Sequence, residues 1–109
     1  METIKAYTDI SQSKKLAEIL PLESADMWYS IVDDEPFVCL EHHNEYEQIP
    51  CWSLAALLKT LNFPSLTQNK EDEWEVCVFD HDNDDYIEKT ASNPVDACVE
   101  MIMTVERKN

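Results

Sequence analysis

The 109-residue chain contains no glycine, and this absence constrains its folding more than any residue it holds. Glycine enters left-handed backbone conformations at no steric cost. Without it, tight turns fall to Asn, Asp and Pro. The absence also removes whole classes of site. The P-loop and the dinucleotide fingerprint need glycine for a tight turn and for close backbone approach to phosphate. Neither exists here in standard form.

Charge points the same way. The chain carries 23 acidic against 8 basic residues, a net charge of -15. A surface this negative repels phosphate backbones, so direct nucleic-acid binding is not expected. Hydrophobic residues make up 44% of the chain, with three Trp, four Tyr and three Phe. That is enough for a core, whereas disordered chains are poor in aromatics. The length suits a single compact domain over residues 1–109. No apolar run approaches a membrane span, and the start Met1-Glu2-Thr3-Ile4-Lys5 lacks a signal pattern. A cytoplasmic protein with no membrane partner is the expectation. Cys39, Cys51, Cys77 and Cys98 are scattered, with no CxxC. In a reducing compartment such cysteines serve as small buried hydrophobes.

Along the chain, residues 9–20 read as a helix. Asp9 or Thr8 caps it, Gln12 completes a capping box and Pro21 ends it. Residues 27–32 read as a strand, 33–36 as a turn and 37–40 as a second strand. The four consecutive apolar residues of that second strand imply burial on both faces, or a fold-back onto the core. Residues 41–48 carry no clear pattern. Residues 53–61 form the clearest helix: Leu54, Leu57, Leu58 and Leu61 follow the i, i+3, i+4, i+7 rule, behind Ser53 as N-cap. Asn62 takes the C-terminal position usually given to glycine. Residues 74–79 and 86–89 read as a hairpin, the first strand covered on both faces, with Asn83-Asp84 replacing the usual Asn-Gly turn. Residues 93–107 form a third helix, with Asn93 as cap, Pro94 at its first position and Asp96 in its first turn. Val95, Cys98, Ile102 and Val105 make its inward stripe, with Val99 and Met101 at its edges. The order implies an α+β fold: three helices packed on a small, mainly antiparallel sheet.

Three stretches, KKLAEILPLESADMWYS from Lys14, IPCWSLAALLKTLNFPSL from Ile49 and NPVDACVEMI from Asn93, resemble a family of small uncharacterised bacterial proteins often associated with prophage or other mobile elements. The resemblance implies an accessory role in a mobile element and no specific chemistry. Read physically, both "PCWSLAALL" and "NPVDA" are helix starts followed by core faces.

Three constellations are candidates for function. Asp80, Asp82 and Asp84 match positions 1, 3 and 5 of a calcium loop, but Asp85 stands where glycine is needed and Ala91 where the bidentate Glu is needed. The flanks read as strands, so the standard hand is rejected. A loose site for a divalent cation on these three carboxylates stands against a solvated hairpin loop. Second, Cys39, His42, His43 and Cys51 offer soft ligands or a nucleophile. A thiol at a helix N-terminus has a lowered pKa, which makes Cys51 the reactive candidate for a small metal-dependent or cysteine-based hydrolase. The spacing matches no zinc arrangement. Third, residues 71–88 hold nine acidic and no basic residues, and residues 33–47 hold six and none. Such segments steer and hold a basic partner. Glu71, Asp72, Glu73, Asp80, Asp82, Asp84 and Asp85 are its expected contacts, with Trp28, Tyr29 and Tyr46 as candidate aromatic anchors. The leading expectation is a non-enzymatic module that binds a basic protein, in its sharpest form by imitating nucleic acid.

Overall fold

The computed structural model describes residues 5–32, 34–41, 47–61 and 64–107, except for the side chains of Val32, Glu47 and Arg107. The elements are α1 (Ile10–Ala17), a short 3-10 helix (Leu22–Ser24), β1 (Met27–Val32), β2 (Glu35–Cys39), β3 (Glu47–Cys51), α2 (Leu54–Thr60), β4 (Ser65–Gln68), β5 (Trp74–Asp80), β6 (Asp85–Ala91) and α3 (Pro94–Arg107). The fold is α+β, and its strands form two three-stranded sheets, β2-β1-β3 and β4-β5-β6. Every strand pairing is antiparallel.

Local chemistry sets the helix starts. Asp9 accepts from the Gln12 amide at 2.7 Å, and the Gln12 side chain accepts from the Asp9 amide at 3.1 Å, closing the expected capping box. Ser53 accepts from the Ala56 amide at 3.2 Å and caps α2. Asn93 accepts from the Asp96 amide at 2.8 Å and caps α3. Each cap satisfies an amide that the first helical turn leaves without a partner. The proposed C-terminal role of Asn62 lies outside the described residues.

The turns answer the missing glycine. Three residues in the described chain have positive φ: Asp34 at 64°, Asp72 at 61° and Asp84 at 53°. All three are aspartates, and each sits in a loop joining adjacent antiparallel strands. Asp tolerates the left-handed region better than most residues because its short side chain bonds locally. Part of the acidity is therefore turn chemistry. The two prolines within strands, Pro36 in β2 and Pro50 in β3, lie on the two edges of the first sheet, where a missing amide interrupts no central ladder.

One core joins the helices to the second sheet. Leu16 and Leu20 near α1, Trp52, Ala56 and Leu57 around α2, Val76 and Val78 of β5, and Val95, Cys98 and Ile102 of α3 are buried together. Val99 and Met101, at the edges of the expected stripe, are buried as well, and Ala97, outside that stripe, is fully buried. On β5 only Val76 and Val78 are buried, while Glu75, Cys77 and Phe79 are half-covered. The expected full cover on both faces is not found among the described residues: α3 packs against this sheet, Val76 and Val78 join the core with it, and the opposite side of β5 is only half-covered. The first sheet packs on α1 through β3, and the Tyr29 hydroxyl donates to the Thr8 carbonyl just ahead of that helix at 2.7 Å.

The second strand departs most from expectation. Its first three residues are exposed and the others half-buried, and Phe37 and Leu40 keep 49% and 75% of their surface accessible. β2 is an edge strand, so an apolar run here does not mean enclosure. Strands β3 and β4 have no counterpart in the sequence reading. β3 holds a proline and two polar residues, and β4 is four residues long; neither shows a clear alternation.

Candidate partner-binding site

The acidic residues divide by what their carboxylates do. At the β4–β5 connection, Asn69 accepts from the amides of Glu71 and Glu73 at 2.9 and 3.0 Å, and Asp72 takes the left-handed position. At the β5–β6 connection, Asp80 accepts from the Asp82 amide at 3.0 Å and from the Asn83 side chain at 2.7 Å. Asp85 accepts from the Tyr86 amide at 2.7 Å, and Asp84 is left-handed. Asp72, Asp80, Asp84 and Asp85 thus help to build the turns they sit in. Among the described residues no group of three His, Cys, Asp or Glu is arranged to hold a metal ion. Asp80 and Asp84, two of the three carboxylates considered from their spacing, take part in the hairpin turn.

The two acidic groups lie at opposite ends of β5, whose seven residues separate them by about 20 Å at the strand rise of about 3.3 Å per residue. They do not form one patch by proximity. What links them is the outer face of the sheet. Glu75, Cys77 and Phe79 point to the side away from Val76 and Val78, and their cross-strand partners are Thr90, Glu88 and Tyr86. Glu75 and Glu88 are diagonal neighbours there. The charge of Glu88, with a hydrogen bond between the two carboxyls, raises the pKa of Glu75. Glu75 and Glu88 thus place two carboxylates on the outer face, between the acidic β4–β5 and β5–β6 connections. The acidic residues of 33–47 are on the first sheet where they are described, Asp34 and Glu35 at its β1–β2 connection.

Aromatic side chains stand on the same outer face. The Phe79 ring meets Tyr86 edge-on at 5.2 Å between centroids and His81 at 4.8 Å, and Tyr86 is 66% exposed. Sequence reasoning missed this group, although Phe79 alternates with Glu75 and Cys77 on a polar face. Of the aromatics singled out instead, Tyr29 is buried, with its hydroxyl pKa pushed up to about 12 by burial. Trp28 is half-buried, and Tyr46 lies outside the described residues.

Beneath the hairpin end, on the inner face, a cavity of about 230 Å³ opens between β5, β6 and the C-terminal ends of α2 and α3. Leu61, Val78, Ile87, Ile102 and Val105 form its walls, and Asp80, Asp82 and Glu106 stand among its polar residues. It is smaller than the ~300–1,000 Å³ pockets that hold drug-sized ligands.

Cys51 does not sit at a helix N-terminus. The residue ends β3, two positions ahead of the Ser53 cap, and is fully buried. Its thiol lies 3.5 Å from the Thr8 carbonyl and 3.6 Å from the Thr8 hydroxyl. Burial raises its pKa and outweighs the hydrogen bonds that lower it. Cys39 donates to the Glu41 carbonyl at 3.3 Å and lies 3.2 Å from the Ser30 hydroxyl, with the Gln48 amide also near. His42 and His43 lie outside the described residues. All four cysteines are free, and no described helix is long and apolar enough to cross a membrane. No family model, curated protein or solved structure matches the chain.

Proposed function

We propose that the protein is a non-enzymatic binding module that engages a basic protein through the outer face and tip of the β5–β6 hairpin. One observation carries this reading: on that face Glu75 and Glu88 stand between the two acidic connections and beside a Phe79–Tyr86 pair in which the Tyr86 ring is exposed. Carboxylates attract and orient a basic surface at long range. An aromatic pair with a polar tip supplies the contact area that binding hot spots use. In its sharpest form the acidic face stands in for a phosphate backbone and occupies the nucleic-acid face of the partner. A resemblance of the 49–66 and 93–102 stretches to mobile-element proteins would suit an accessory factor of that kind. Its four free thiols accord with a reducing cytoplasm.

The test is capture from a lysate of the source organism at low and at high salt, using the protein and its Glu75→Gln/Asp82→Asn/Glu88→Gln variant. None of these three carboxylates closes a turn, so the variant separates recognition from folding. A basic protein held at low salt, released at high salt and lost by the variant supports the reading. Equal retention by the variant, or an empty bait at both salts, would overturn it.

A further inference from the structure

We propose that the cavity under the hairpin tip receives the alkyl-cation side chain of one lysine or arginine of the partner. This assignment rests on the partner-binding reading and names the contact that gives it specificity. The cavity is lined by both kinds of group such a side chain needs. Val78, Ile87 and Ile102 make an apolar wall for the methylene stem, and Val78 and Ile102 are themselves 4% and 1% exposed. Asp82 and Glu106 are carboxylates for the cationic head. Long basic side chains commonly bury the stem and keep the charge at a wetter edge.

Three further features favour a cation over a neutral or anionic group. Among the described lining residues there is no lysine or arginine. The C-terminal end of α3 borders the cavity, and a helix C-terminus carries partial negative charge on its last carbonyls. Glu106 stands in that last turn, where a carboxylate opposes the helix dipole, and a cation relieves the opposition. Apolar walls also lower the local dielectric and strengthen the attraction between a docked cation and the rim. The volume of about 230 Å³ suits one side chain and excludes a folded element.

The test uses the full chain with its methyl groups isotope-labelled, followed by NMR. The probes are n-pentylammonium and n-butylguanidinium as side-chain analogues, with n-pentanol as the neutral control. Saturable shifts of the Val78, Ile87 and Ile102 methyls are expected with both cations. Pentanol should bind about fivefold more weakly, the ratio that two partly exposed carboxylates supply. Asp82→Asn/Glu106→Gln should remove that preference and leave pentanol binding unchanged. Equal affinity for pentanol and the cations, or no methyl shifts, would overturn the proposal. So would binding that appears only after Arg107→Ala, since the chain's own cation would then be the occupant. No partner protein enters this experiment, so its failure leaves the hairpin reading to the capture assay. Failure of capture likewise leaves the cation preference of the cavity measurable.

Discussion

Lys5 and Asp96, 91 residues apart, meet with the Lys5 ammonium 2.9 Å from Asp96 Oδ1. The same ammonium reaches Gln12 Oε1 at 2.8 Å and Asp9 Oδ2 at 3.2 Å, and Gln12 donates to Asp96 Oδ1 at 2.7 Å. Three features meet here: the N-terminal segment, the cap of α1 and the first turn of α3. Lys5→Met should cost about 1 kcal/mol, a value discounted for partial exposure. That lowers the melting temperature by about 4–8 °C for a domain of this size. Thermal unfolding followed by circular dichroism measures it.

The pH response of this latch follows from its shifts. Burial raises the Asp96 pKa, but the bonds from Lys5, Gln12 and Asn93 lower it further, so the net shift is downward. Burial lowers the Lys5 pKa, and Asp96 and Asp9 more than restore it, so the net shift is upward. The Asp96 contribution is present above the ordinary carboxylate pKa and is lost as pH falls through the depressed value. The Lys5 contribution is present below the ordinary lysine pKa and is lost as pH rises through the raised one. The gap in stability between the protein and Lys5→Met should be widest between about pH 5 and 9. It should narrow at both extremes, as denaturant titrations would show.

Asp34, Asp72 and Asp84 hold left-handed conformations in the absence of glycine. A β-branched residue suffers most in that region, so Asp72→Val and Asp84→Val should each cost about 1–2 kcal/mol. Asp72→Gly should fall within about 1 kcal/mol of the parent, since relief of strain is offset by added freedom in the unfolded chain. Urea midpoints for the three variants decide this.

The Glu75–Glu88 pair predicts a stabilising substitution. A carboxyl whose folded pKa is raised opposes folding above that pKa and stops opposing it once protonated. Glu75→Gln should therefore raise the melting temperature at pH 7 and leave it nearly unchanged at pH 3.5. The same residue belongs to the proposed contact surface, so the stabilised variant should bind its partner less well. Such a trade is expected where like charges are held together for recognition.

The thiols should divide by burial. Cys51 and Cys98 are fully buried, and burial pushes the Cys98 thiol up to about 11. Two of the four cysteines should react with a water-soluble disulfide reagent in the native protein, and all four after denaturation. Prompt reaction of Cys51 in the native state would revive it as a nucleophile.

Much of the local structure was legible in the residues. Asp9 with Gln12, Ser53 and Asn93-Pro94 mark helix starts because capping is a contact within four residues of sequence. The leucine spacing of α2 and the pairing of 74–80 with 85–91 are local as well. β3 and β4 were not legible, since short strands with prolines or mixed polarity are defined by the neighbours they pair with. The exposure of Phe37 and Leu40 was hidden for the same reason: an apolar run reads alike in a central strand and on an edge.

The candidate site shows the same division. By itself the sequence determined the negative charge, the lack of glycine-based phosphate sites, the helix caps and an α+β order. Each follows from composition or from short-range spacing. Only the tertiary structure decided which carboxylates close turns and which do not. It alone gathered Asp82 and Glu106 from distant segments around one cavity and buried Cys51 against Thr8. Those outcomes depend on strand register and on helix ends meeting across the core, and neither is encoded within a single stretch of chain.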